Sequence, residues 1–413
     1  MTFLKNALVF ITTGVFLSVN INSQQTVEYE DIAGEELNSL LTAVPFLTIA
    51  PDSRAAGMGD VGVATSPDAN SMHWNPSKYA FIEGEYGVCI SYTPWLKKLV
   101  NDIDLLYLSG YYRFDNRQTI SASLLYFSLG QIQFTYPDGS PIKTGEPNEY
   151  SFDIAYSRIM SKKLAMGVAF RYIRSDLTNG LSVGEVETSP GNQVAVDVST
   201  YYQSDVRLGD YDGTMSYGLN ISNIGAKLTY TDKTDGLYLP INMRLGGALT
   251  VDIDDYNSIT ASVDLNKMLV PTPPEIIDTV DENGIPYEII IGKGDLNSAV
   301  PTGMFKSFSD APGVLKGDGT RSVFQEELRE ITYGVGLEYW YAKQFAVRAG
   351  YFYEHKTKGN RKFFTMGLGL KYNVFGLDIS YIIPQYPNNP LANTIRFSLI
   401  FNFEPVGNSN KAR

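Results

Sequence analysis

The sequence has a single cysteine, Cys89, among its 413 residues, so no internal disulfide can form. It has two histidines, His73 and His355, far apart in the chain. A histidine-based metal site or a Ser-His-Asp triad therefore has few members to draw on. The expectation is a chain without catalytic residues, metal or cofactor. Basic residues are outnumbered, 33 against 45, which leaves a net charge of −12. That balance argues against nucleic acid as a partner, because phosphate binding needs clustered Lys and Arg. Beyond the N-terminus nothing approaches 18 unbroken apolar residues, so helical spans are not expected.

What is present begins with an export signal. Lys5 supplies a positive charge, Ala7 to Val19 an apolar stretch, and small or polar residues follow. The stretch is too short to span a bilayer, so residues 1–23 read as a signal peptide cut near Ser23. No cysteine stands there to carry a lipid anchor. An exported chain without helical spans can still cross a membrane as a closed barrel, where every backbone donor and acceptor is paired.

The segment Thr332 to Tyr341 shows the strand signal most clearly. Tyr333, Val335, Leu337, Tyr339 and Tyr341 alternate with Thr332, Gly334, Gly336, Glu338 and Trp340. That is period two, with one apolar and one mostly small or polar face. The alternation recurs and predicts fourteen strands: 84–92, 104–114, 118–129, 150–160, 163–174, 192–203, 213–222, 240–253, 256–266, 331–341, 343–354, 361–372, 373–383 and 391–403. Lengths of about 9 to 13 residues suit tilted membrane strands.

The connections are sorted. Tight turns at 115–117, 161–162, 254–255 and near Ala342 alternate with longer links at 93–103, 130–149, 175–191, 223–239 and 267–330. Short periplasmic turns and long external loops are the outer-membrane rule. The 204–212 connection is too long for its side, and 355–360 is brief for its side. The 28 Tyr, 21 Phe and 3 Trp suit two aromatic girdles, although composition alone also fits a β-sandwich.

On the outward face, Arg158 and Arg174 fall at strand ends, where a lipid-facing charge costs little. The inward face carries Arg113, Asp153, Arg171, Asp197, Arg244, Asp264, Glu338, Arg348, Asp378 and Arg396. Five cations and five anions suggest pairing across a filled interior; a wet lumen is the alternative. Outer-membrane lipid and lipopolysaccharide would surround the outward face.

Residues 24–43 are polar and acidic and read as a flexible segment. The segment 44–82 reads as a plug, rich in small residues such as Gly57 and Gly59 that allow close backbone packing. Its Gly-Met-Gly lacks the Lys-Ser/Thr of a phosphate loop. Trp74, Asn75 and Pro76 end it with a turn, expected near the wall where strand 1 begins. An extension into the periplasm is the alternative placement. Residues 83–403 form the barrel, and 404–413 a polar tail.

The Ala-Gly-rich run ending in Asn75-Pro76 resembles the N-terminal hatch of the fourteen-stranded FadL-type barrels. A more specific resemblance is to the PorV (LptO) family, FadL-like outer-membrane components of the Bacteroidetes type IX secretion system. It rests on VPFLTIAPDSRAAGMGDVGVATSPDANSMHWNP, on MFKSFSDAPG at 304–313, and on EELREITYGVGLEYWYAKQFAVRAGYF from Glu326. This resemblance implies a protein that works with an SprA (Sov)-like translocon. It implies acceptance of secreted cargo through a C-terminal signal domain, and delivery to a PorU-like sortase and attachment complex. A FadL-type conduit for fatty acids or other hydrophobic molecules is the alternative.

The long external loop 267–330 is the candidate partner-binding element. Loops longer than about 12–15 residues are usually functional or disordered. This one carries Tyr287, Ile289, Ile291, Met304, Phe305 and Phe308. Val280 to Ile291 reads as a small hairpin broken at Asn283-Gly284, and Gln325 to Arg329 as a helical turn. The apolar residues either pack down as a lid or meet another protein.

Overall fold

The computed structural model describes residues 38–403 apart from 99, 137, 181–187, 232–235, 281–285, 387–389 and 393. The expected signal peptide and C-terminal tail fall outside the described residues. The architecture is a closed antiparallel barrel of fourteen strands. In order these are β1 Tyr86–Pro94, β2 Asp104–Arg113, β3 Gln118–Ser128, β4 Asn148–Ser161 and β5 Leu164–Asp176. Next come β6 Gly191–Leu208, β7 Tyr211–Gly225, β8 Asn242–Asp252, β9 Asn257–Met268 and β10 Thr332–Tyr341. The last four are β11 Phe345–Tyr353, β12 Lys362–Tyr372, β13 Phe375–Pro384 and β14 Ile395–Phe403. Each strand pairs with the next, and β14 closes onto β1 with Phe403 opposite Tyr86 and Phe397 opposite Tyr92.

Alternation sorts the side chains. On β1, Tyr86, Val88, Ile90 and Tyr92 point outward while Cys89, Ser91 and Thr93 are buried inside. On β12, Phe364, Met366, Leu368 and Leu370 are outside and Phe363 and Thr365 inside. The outer surface is thus an apolar band suited to a lipid bilayer. Aromatic pairs mark both rims. Tyr86–Phe403 and Phe375–Phe401 lie at the short-turn end, and Tyr333–Tyr353 and Tyr150–Tyr172 at the loop end.

Every connection at one end is short, spanning residues 114–117, 162–163, 209–210, 253–256, 342–344 and 373–374. The apparent exception at 204–212 is corrected. β6 and β7 continue through Gln203↔Ser216, Asp205↔Thr214 and Arg207↔Asp212, leaving Gly209-Asp210 as the turn. The hydrophobic pattern stops there because the ladder runs past the apolar band into water, where both faces are polar.

The barrel is filled. Residues 44–82 occupy its interior as short helical turns: Pro45–Thr48, α1 Ser53–Ala56, α2 Ser71–Trp74 and Pro76–Phe81. Met58, Val61, Val63, Ala64, Ala69, Met72 and Tyr79 are all buried. Above them, toward the loop end, Phe46 and Leu47 join an apolar cluster with Leu105, Tyr107, Phe127, Tyr238, Leu269 and Val270. The flexible segment expected over 24–43 gives way to anchored chain at its end. Asn38 N–H donates to Thr357 O at 3.0 Å and Ala43 N–H to Tyr238 O at 2.8 Å.

Candidate functional site: the plugged lumen and its covered mouth

The plug is held by polar contacts to the wall. Asp52 caps α1 by accepting from the Ala55 N–H at 3.0 Å, and its other oxygen accepts from Trp74 Nε1 at 2.6 Å. Arg54 donates to both oxygens of Glu338 on β10, at 3.0 and 2.8 Å, and pairs with Asp68 at 2.8 Å. Glu338 is shared with Arg348 of β11, which also reaches Asp378 of β13 at 2.6 Å. A second set joins Arg171 to Asp153 at 2.6 Å and Asp197 at 3.2 Å. Asp264 accepts the Gly62 and Val63 N–H groups at 2.7 and 2.9 Å. Nine of the ten predicted inward charges are buried. Arg113 is the correction: it sits half-exposed at the rim, donating to Asp115 O and Glu83 O, because β2 ends there.

Close backbone approach explains the glycines. Gly59 has φ of +73°, and its N–H donates to Thr365 Oγ1 at 2.8 Å. A Cβ on it would lie 2.7 Å from Tyr351 backbone. Gly57 lies against Gly367 of β12, where a Cβ would be 3.1 Å from that Cα. Trp74 is buried against Gly62 and the Asp52 carboxylate. Asn75 Nδ2 donates to Val63 O at 2.9 Å and to Thr200 O at 3.0 Å, and Ser157 Oγ donates to Pro76 O at 2.7 Å. The expectation that Trp74, Asn75 and Pro76 adjoin the start of strand 1 is corrected. Their wall partners are on β4, β6 and β7, and the Pro76–Phe81 turn then carries the chain past β3 before β1 begins.

The mouth is covered by residues 269–331. Its first part is a hairpin, Glu275–Val280 paired with Pro286–Ile291. That is longer than expected, because the first arm begins at Glu275, well before Val280; the Asn283-Gly284 break lies outside the described residues. Helix α3, Val300–Lys306, holds Met304 and Phe305, so the expected turn there is helical. Helix α4 spans Val323–Arg329. The candidate residues divide. Met304 packs down on the cluster around Tyr238 and Leu269, and Ile291 is half-buried. Tyr287, Ile289, Phe305 and Phe308 are exposed, Phe305 at 80%. Ile276 and Ile290 face each other across the hairpin and are also exposed.

Sequence reasoning missed the clamp beneath α4. Lys267 binds Glu327 and Glu330, each at 2.8 Å, and Lys358 binds Glu326 at 2.8 Å and Glu330 at 3.1 Å. Thr272 Oγ1 donates to the remaining demand of Glu330 at 2.7 Å. Glu326, Glu327 and Glu330 share one side of a helical turn, which was a readable spacing. Lys267 was not readable, because it has the outward parity of β9 and is buried only by the loop folded over it. Nearby, burial pushes the Asp310 carboxyl up to about 6, with the charges of Glu327 and Glu330 adding to the shift.

A closed fourteen-stranded barrel with an apolar girdle, short turns on one rim and a plug built from its own N-terminus is an outer-membrane β-barrel. A family model described as type IX secretion system protein PorV matches residues 32–275, and the chain belongs to that family. It is an outer-membrane component of that secretion system. The chain is also similar to the toluene transporter TbuX of Ralstonia pickettii, at 10% identity over 86% of this chain and 98% of that one, TM-score 0.45. For the toluene transporter TodX of Pseudomonas putida the figures are 12%, 89%, 98% and 0.44. For a FadL homologue of Pseudomonas aeruginosa they are 10%, 89%, 100% and 0.43. No curated protein sequence matches the chain.

Proposed function

We propose that the protein accepts secreted cargo at its covered mouth, beside an SprA-like translocon, and passes it to a PorU-like attachment complex. Family membership supports the setting. The observation that carries the docking assignment is the hairpin 275–291. Ile276, Tyr287, Ile289 and Ile290 are exposed on a two-stranded sheet beyond the membrane rim. Isolated two-stranded sheets are marginal in water, and exposed apolar patches mark contact surfaces. The free edges of this hairpin could also take a strand from a β-rich signal domain. The rest of the loop is anchored: Tyr238 Oη donates to Ser298 O at 2.7 Å, and α4 is clamped by two lysines. In this reading the chain performs no catalytic step. A conduit for fatty acids would need an apolar path. The lumen beneath this mouth sets the charged Asp60, Arg244, Glu330, Glu354, Lys358 and Arg361 among its apolar Leu40, Trp74, Met268 and Phe352, so no continuous apolar path is evident there among the described residues.

The hairpin can be excised cleanly, because a Cβ on Gly292 would lie 3.3 Å from Pro274 Cα, so the two ends are adjacent. Replacing 276–290 by Gly-Gly is expected to leave an assembled barrel in the outer membrane and to abolish cargo anchoring. Normal secretion and anchoring in that strain would make the hairpin a passive cover and overturn the docking assignment.

A further inference from the structure

Beneath the mouth and above the plug lies a cavity of about 310 Å³. Ligand pockets run from roughly 300 to 1,000 Å³, so this one suits a small molecule. Six charged side chains line it. Four of them are neutralised in pairs: Arg361 with Glu354 at 2.9 Å and Lys358 with Glu330 at 3.1 Å. Arg244 and Asp60 are left without a direct ion pair among the described residues, although the charges of Arg396 and Arg361 act on Asp60 and that of Asp264 on Arg244.

Arg244 is 6% exposed and has no carboxylate within ion-pair distance among the described residues. Its polar contacts are long, to His73 O at 3.3 Å and His73 Nε2 at 3.4 Å. One face of its guanidinium covers the Trp74 ring at 4.7 Å. Asp60 has a buried Oδ1 with no hydrogen-bond partner, on a residue held at φ of +58°. A buried charge without a partner is costly, and strained, unsatisfied groups concentrate where ligands bind. Here a cation and an anion line one cavity without meeting each other. Trp74, Phe352 and Met268 add apolar lining.

We propose that this cavity binds a small zwitterion, an apolar α-amino acid or a dipeptide. Its carboxylate lies on Arg244, its ammonium on Asp60, and its side chain against Trp74 and Phe352. A guanidinium is well suited to a carboxylate because it offers a planar pair of donors. Occupation gives both groups a direct partner at once, which neither a simple anion nor a fatty acid can do. The site is independent of the docking assignment, since none of these residues belongs to the hairpin.

The test is calorimetric titration of the full chain in detergent with L-phenylalanine, L-leucine, L-methionine and Gly-Phe. Phenylacetate, phenethylamine and laurate serve as probes that each lack one charge. At least one zwitterion is expected to bind with Kd below about 1 mM, and each singly charged probe on the order of tenfold more weakly or worse. Arg244→Gln and Asp60→Asn should each weaken the zwitterion by a similar factor while the barrel keeps its compact form on unheated gels. Should either variant fail to fold, the probe series on the unaltered chain decides alone. Absence of binding tighter than about 1 mM across the four zwitterions would mean that water fills the cavity. Equal binding of phenylacetate or laurate would mean an anion or lipid site. Either result overturns the proposal.

Discussion

Glu338 holds Arg54 of the plug and Arg348 of the wall at once, with all three side chains buried. Removing one member of such a set leaves uncompensated charge, which costs about 3–5 kcal/mol. Glu338→Gln is therefore expected to lower the barrel's unfolding midpoint in urea sharply, whereas Glu288→Gln on the exposed hairpin should leave it unchanged. An unaltered midpoint for the first variant would show that the plug is not held through this residue. Gly350 offers a steric counterpart, since a Cβ there would lie 2.1 Å from the Met58 carbonyl carbon. Overpacking of a tight interior costs about 1–3 kcal/mol, so Gly350→Ala should loosen the plug without changing any charge. Its measured sign is a gain of ion conductance in planar bilayers. At this scale the sequence was partly legible. Parity placed Asp153, Arg171, Glu338 and Arg348 inside, because a strand offers only two faces. It could not say that Arg54, in the plug and well before the first strand residue Tyr86, would complete the Glu338 site, since that contact is made across the folded lumen.

Among the elements, strands were the most legible, because fourteen segments of alternating hydrophobicity each report their own burial. The misplaced 204–212 link shows the limit of that signal: alternation follows the lipid boundary, while hydrogen bonding continues beyond it. The mouth was harder to read. Apolar residues in its loop could either pack down or project, and only the folded chain separates Met304 from Phe305, neighbours on one short helix. Asp310 makes the loop sensitive to pH. Its folded carboxyl titrates near 6, raised by burial from an ordinary value of 3.8, so the folded loop favours the protonated form. Its contribution to loop stability is greatest at acid pH and falls as pH rises through about 6. The Lys293 N–H donates to Asp310 O at 2.9 Å. Hydrogen exchange at that amide, corrected for its intrinsic pH dependence, should lose protection as pH rises from about 4 to about 6, and Asp310→Asn should remove the trend. A flat profile in the unaltered chain would contradict this.

For the molecule as a whole, the interior and the exterior divide the work. The lipid-facing band fixes the protein in the outer membrane, and the plug occupies the lumen beneath its loops. The intact chain is accordingly expected to show little steady conductance, and large stable openings would argue that the plug leaves the lumen. Composition and alternation announced a barrel, but the secretion role became visible only through resemblance to a family, because a barrel wall obeys the same physics whatever it serves. We propose that this barrel works by binding proteins and not by passing small molecules. The most direct test of that proposal is gentle extraction of the chain from native membranes, followed by identification of everything that copurifies. Large protein partners at near-stoichiometric amounts, lost when 276–290 are replaced by Gly-Gly, are the predicted result; a solitary barrel carrying bound hydrophobic small molecules would contradict the account.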